Sequence, residues 1–267
     1  MMSGNRKRGF NMTIRGISSL VALAAAGAAI ASAAGPSFSG SWKLNMAKSQ
    51  LSGQTYTIEK TPSGKLHFDS QGFSYDFDLT GKEYPTPDGG TVSWRAPDAT
   101  TWEGAARMNG KTIVSFRLSL KGNTMTSVMK MTKPDGSVSE QTATNTRVSG
   151  DGFFGKWKST EVKGAPTGLD IVTDSANHIT VKYPEFQAAC NGSFDGKDYV
   201  LTTAGAGSKQ TMAFEKAGAN SFRMTTKMNG KPFFTDVFTL SADGKTLTDD
   251  GNPVAVSEPM KAVYDRQ

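Results

Sequence analysis

Side chains able to do chemistry are scarce in this chain, which holds two histidines and one cysteine. A catalytic or metal-binding constellation needs such groups within reach of one another. With His67, His178 and Cys190 alone, no His-x-x-x-His, Ser-His-Asp or Cys-His constellation can be assembled. Cys190 has no partner for an intramolecular disulfide, and a cysteine cluster for a metal is excluded. It reads as a small buried apolar residue rather than a nucleophile. Carboxylates remain. Asp76 and Asp78 share one face of an alternating run, opposite Phe73, Tyr75 and Phe77, and read as outward, solvated acids. Asp236 stands between Phe234 and Phe238 on a presumed inner face. A carboxylate-based enzyme would use Asp236 with a neighbour that the sequence does not name. No metal, nucleotide or haem motif is present, so no cofactor is expected.

The elements that must position these groups follow from the spacing of apolar residues. Phe73 to Leu79 alternates without a break, and Val114, Phe116, Leu118 and Leu120 share a face. Between such runs lie Asn109-Gly110, Asn229-Gly230, Pro134-Asp135-Gly136 and Asp243-Gly244, which tolerate the positive φ of tight hairpins. The spacing predicts short antiparallel strands, about eight or nine in each half, and an all-β protein.

The halves are copies. Phe38-Ser39-Gly40-Ser41-Trp42-Lys43 recurs as Phe153-Phe154-Gly155-Lys156-Trp157-Lys158, and Gly81-Lys82-Glu83-Tyr84 as Gly196-Lys197-Asp198-Tyr199. Met108-Asn109-Gly110-Lys111 recurs as Met228-Asn229-Gly230-Lys231, and Thr124-Met125-Thr126 as Thr246-Leu247-Thr248. The copies are assigned to residues 36–149 and 153–267, with a boundary in the Gly-rich stretch from Ser149 to Gly152. Each is expected to close as an up-and-down barrel, because closure removes exposed strand edges. A β-sandwich is the alternative.

The opening Phe-x-Gly-x-Trp-Lys resembles the first strand of lipocalins and fatty-acid-binding proteins. The Trp42 to Ser49 run and the Gly-Lys-Glu/Asp-Tyr repeat are similar to secreted bacterial lipocalin-like proteins. The resemblance implies a Trp at the closed end of each barrel under an Arg from the last strand, with Arg147 and Arg266 in that part for Trp42 and Trp157 respectively. The fatty-acid-binding families hold a carboxylate with Arg-x-Tyr on the last strand. Here the order is reversed, Tyr264-Asp265-Arg266, and the segment from Asn45 to Gln54 is too short for a two-helix lid.

The copies differ where Phe73, Tyr75 and Phe77 correspond to Ala188, Cys190 and Gly192, and where Phe116 corresponds to Asp236. Large rings give way to small groups, so the first barrel is expected to fill itself and the second to keep a cavity. Its candidate ligand contacts are Ala188, Cys190, Phe234, Asp236 and Phe238. The alternatives are a bulge that flips one strand, or neighbouring rings that refill the space. Lys197 and Tyr199 are a further candidate contact at the barrel mouth, or else an ion-paired hairpin. Met108, Met125, Met129 and Met131 read as core filler or as a hydrophobic docking site.

Residues 1–33 carry Arg6, Lys7, Arg8 and Arg15, an apolar stretch from Ile17 to Ile30, and Ala31-Ser32-Ala33, the pattern of a secretory signal peptide. These residues hold four of the 30 basic residues and none of the 24 acidic ones, which leaves 26 against 24, a net charge of +2. No basic face for nucleic acid is implied, and no membrane span is expected after signal removal. The expectation is an exported, non-enzymatic carrier of a small apolar or amphipathic ligand or lipid, in the periplasm or outside the cell. The alternative is a structural module that docks an envelope protein.

Overall fold

A computed structural model describes residues 37–267 except 71, 134, 165–167, 175–176 and 255–258. The expected signal peptide lies outside the described residues, as does Pro134 of one predicted turn. Among the described residues twenty strands run in chain order. The first eleven are β1 (Gly40–Leu44), β2 (Thr55–Lys60), β3 (Leu66–Ser70), β4 (Phe73–Phe77), β5 (Thr80–Pro85), β6 (Thr91–Asp98), β7 (Thr101–Met108), β8 (Lys111–Lys121), β9 (Thr124–Thr132), β10 (Val138–Ser149) and β11 (Gly155–Lys163). After them come β12 (Gly168–Thr173), β13 (His178–Tyr183), β14 (Ala188–Ser193), β15 (Asp198–Thr203), β16 (Ala206–Gly218), β17 (Ser221–Met228), β18 (Lys231–Leu240), β19 (Thr246–Pro253) and β20 (Met260–Arg266). The only helical turns among the described residues are 3-10 segments at Met46–Lys48 and Pro184–Phe186. No helix among them is long and apolar enough to cross a membrane.

The strands form two antiparallel, barrel-like sheets of ten, one or two strands more per copy than the spacing predicts. One is a closed barrel, β1 followed by β12 through β20. The other runs β4-β3-β2-β11 and then back from β10 to β5. β4 and β5 are its two ends and are not hydrogen-bonded to each other. Side chains bridge that seam: Tyr84 donates to Asp78 across it, and Trp94 Nε1 donates to the Tyr75 hydroxyl at 3.3 Å.

The sheets divide the chain differently from the sequence repeat. The first strand of each copy joins the sheet made by the rest of the other: β1 pairs with β12 and β20, and β11 with β10 and β2. The boundary expected between 149 and 153 is therefore a hairpin turn. Its geometry explains the exchange. Phe154 N donates to the Asp151 carbonyl at 2.9 Å, and the chain on either side comes so close that a Cβ on Gly155 (φ +110°) would lie 1.9 Å from the Ser149 carbonyl oxygen. A tight hairpin of this kind places β11 beside β10, which completes the first sheet and leaves the second one strand short. β1 fills that place.

The Trp–Arg closures are exchanged in the same way, which corrects the expected partners. The Arg266 guanidinium lies 4.1 Å from the Trp42 ring centroid, and that of Arg147 lies 4.8 Å from Trp157. Each indole N–H donates at 3.0 Å to the carbonyl of a phenylalanine four residues earlier, Phe38 or Phe153. The two ends are thus built alike.

The second barrel is filled by Trp42, Leu169, Ile171, Phe214, Phe222, Phe238 and Leu247 among others. In the first, Ile58, Phe77, Trp94, Trp102, Met125 and Trp157 form the core. Met108 and Met131 pack with Ala204 and Phe186 of the second barrel, so part of the methionine group is glue between the sheets. Gln187 Nε2 donates to the Thr132 carbonyl at 2.8 Å, and Lys209 N to that of Asp88 at 2.8 Å, across the same junction.

Candidate functional site

Alternation along the strands of the first sheet turns large apolar side chains inward at regular intervals: Tyr56 and Ile58 on β2, Phe68 on β3, Phe73, Tyr75 and Phe77 on β4. Trp94, Trp102 and Phe116 face them from β6, β7 and β8. Phe68 stacks on Tyr75 with centroids 5.2 Å apart, and Trp94 on Phe116 at 5.4 Å. The rings do not meet in the middle. They line a cavity of about 720 Å³ that continues to the second barrel, where Tyr183, Phe186, Phe233, Asp249, Met260 and Tyr264 line it. Leu44, Leu51 and Gln54, in the segment that crosses between the sheets, also line it, as do the polar side chains of Ser127, Gln141, Asn145 and Ser159.

Asp249 is the acidic group of this lining. It shares the inner face of β18 and β19 with Asp236, for Phe238 is opposite Asp249 and Gly251 opposite Asp236 in the ladder. The two carboxyls are close enough that each alters the other's hold on its proton. Asp236 is 6 % exposed. Burial first, and the charge of Asp249 second, hold its carboxyl well above the ordinary range. Burial pushes Asp249 up to about 7. Burial also raises the Tyr183 and Tyr264 hydroxyls, with further contributions from both aspartates. A pair of this kind can hold or release a proton near neutrality, and above pH 7 it presents one negative charge to a cavity that is otherwise largely apolar.

The expected site residues fall into three groups. Asp236 is at the pair, and Phe234 lies beside it, its ring close to Gly251. Ala188, Cys190 and Phe238 belong to the packed core of the second barrel, with Phe238 stacked on Phe222 at 4.8 Å. Cys190 is buried, its thiol is pushed up to about 11 chiefly by burial, and Sγ donates to the Tyr199 carbonyl at 3.6 Å. Lys197 pairs with Asp195 at 3.3 Å, and the Tyr199 hydroxyl donates to the same carboxylate at 3.0 Å, an ion-paired hairpin.

The place expected for a cavity needs correction. A Cβ on Gly192 would lie 2.6 Å from the Tyr199 ring and 3.0 Å from that of Phe214, so neighbouring rings refill the space the small residues leave. The first barrel, expected to fill itself, holds most of the cavity wall. Trp42, Trp157, Arg147 and Arg266 close the barrel ends away from this lining. His67 pairs with Asp76 at 2.7 Å and His178 with Asp174 at 3.0 Å, each on its own strand surface.

Asp249 and Tyr183 are not singled out by spacing, and Tyr264 enters the sequence reading only through the reversed Tyr264-Asp265-Arg266 order. The signal that could have found Asp249 is its place two residues after Leu247 on a strand whose inner face Leu247 defines. Fold and site together define a double antiparallel β-barrel protein with a largely apolar cavity that ends on a carboxyl pair. Comparison with family models, with curated proteins and with solved structures finds no match to this chain.

Proposed function

We propose that this is an exported, non-enzymatic binding or carrier protein for a small apolar or amphipathic molecule, held in the cavity shared by the two sheets. The observation that carries the reading is the cavity itself. Its volume of about 720 Å³ falls in the range of small-molecule sites, about 300–1,000 Å³, and its lining is mostly aromatic and aliphatic, with Asp249 as its acidic group. The Phe-x-Gly-x-Trp-Lys openings and their resemblance to lipocalin-like proteins support the same reading, and the signal-like residues 1–33 support export.

The test is native mass spectrometry of residues 34–267 purified from the protein's own host without detergent. Extra mass that is lost on delipidation is expected, and it should be absent from Ala143→Phe, which puts a ring into the cavity from β10. A clean apo mass that takes up nothing from a host lipid extract would overturn the carrier reading. It would favour a structural module that docks an envelope protein.

A further inference from the structure

We propose, resting on the carrier reading above, that the occupant is an amphipathic amine, its apolar body against the rings of the first sheet and its ammonium group against Asp249. Asp249 lies on the cavity wall, and its Oδ1 is buried. Among the described residues no N–H or hydroxyl donor reaches that oxygen, and no ion pair reaches Asp249 or Asp236. The neighbour Asp249 has is another carboxyl.

The remaining groups around the pair do not neutralise it. Tyr183 and Tyr264 are buried hydroxyls, and Asp250 follows Asp249 on the strand and adds repulsion. The nearby Glu185 is engaged by Lys133 at 3.4 Å and by Gly168 N at 3.3 Å, so that lysine is already committed. Above pH 7 a single proton on this pair covers one charge and leaves the other. A buried charge without a counter-ion is costly, and a cation from outside is what removes that cost.

An ammonium group supplies both the charge and N–H donors for a carboxylate, whereas an alcohol supplies a donor only. A fatty acid of the same chain length would bring a second negative charge to a negative site. The sign of the charge at the polar end thus separates these ligands, although all three share the apolar body that the cavity accepts.

The experiment titrates residues 34–267 with dodecylamine, dodecanol and dodecanoate, each below its aggregation concentration, at about pH 8. The readout is the fluorescence of Trp94 and Trp102, which line the cavity. The amine is expected to bind about tenfold or more tighter than the alcohol, with dodecanoate weakest. Asp249→Asn is expected to remove about that factor from the amine, so that the amine no longer outranks the alcohol. Equal binding of the three chains, or an amine preference that survives Asp249→Asn, overturns the amine assignment and leaves the carrier reading in place. Absence of binding by all three overturns both. If Asp249→Asn does not fold, the ranking by the unmodified protein decides.

Discussion

The guanidinium of Arg266 covers the ring of Trp42 at 4.1 Å, although one stands at the end of the last strand and the other on the first. Arg266 also donates to three carbonyls, those of Gly244, Ser39 and Ser37, each at 2.6 Å. One side chain thereby fastens β1 to β20 and closes the second barrel. Gly40 makes room for it, since a Cβ there would lie 2.6 Å from Arg266 Nη1.

Arg266→Ala should therefore destabilise the protein by about 2–4 kcal/mol through the lost ring contact and hydrogen bonds. Arg266→Lys should recover only part of this, because an ammonium cannot donate in three fixed directions. Urea unfolding measures both, and a loss below about 0.5 kcal/mol for the alanine variant would show that closure does not depend on this residue.

Strand exchange makes a prediction about fragments. Residues 37–150 lack β11 and carry β1 with nothing to pair, and residues 151–267 lack β1 and carry β11 in the same condition. Neither piece should fold alone, whereas mixing should give a 1:1 complex with the circular dichroism of the whole chain. Independent folding of either piece would mean that β1 and β11 are dispensable to their sheets.

Two glycine substitutions should differ for a steric reason. Gly155→Ala meets both the positive φ of +110° and the Ser149 carbonyl, whereas Gly122→Ala at φ +59° meets nothing within 4 Å. The first should cost at least about 2 kcal/mol and the second about 1 kcal/mol. Thermal unfolding of the two variants side by side checks the order.

The carboxyl pair should make stability fall as pH rises. Asp249 is pushed up to about 7 and Asp236 well above the carboxylate range, so between pH 5 and pH 8 the folded chain retains protons that the unfolded chain has released. Raising pH through this window then favours unfolding. Tyr183 and Tyr264 stay neutral throughout it, their hydroxyls raised by burial. Asp249→Asn should lose less stability over the same interval, by at least about 1 kcal/mol. Urea midpoints at the two pH values give the comparison, and parallel losses in variant and parent would contradict the assignment.

Much of the fold is legible in the sequence because it depends on local rules. The two-residue period of Phe73 to Leu79, the Asn-Gly turns and the duplicated Gly-x-Trp opening each follow from backbone geometry over a few residues, and they determine an all-β protein made of two copies. Asp236 is legible as a buried acid because its neighbours Phe234 and Phe238 fix its face. Tertiary structure alone decided which sheet each first strand joins, since β1 has an equally suitable pattern for either and the choice falls to the tight β10–β11 hairpin. It also decided where the open space lies. Residue size in aligned positions points to the second barrel, but the Tyr199 and Phe214 rings lean into the gap beside Gly192, while the larger rings of the first sheet stand around a space they cannot reach across. Asp249 joined the site for the same reason, because the partner of a buried carboxyl is set by strand register across the sheet and not by distance along the chain.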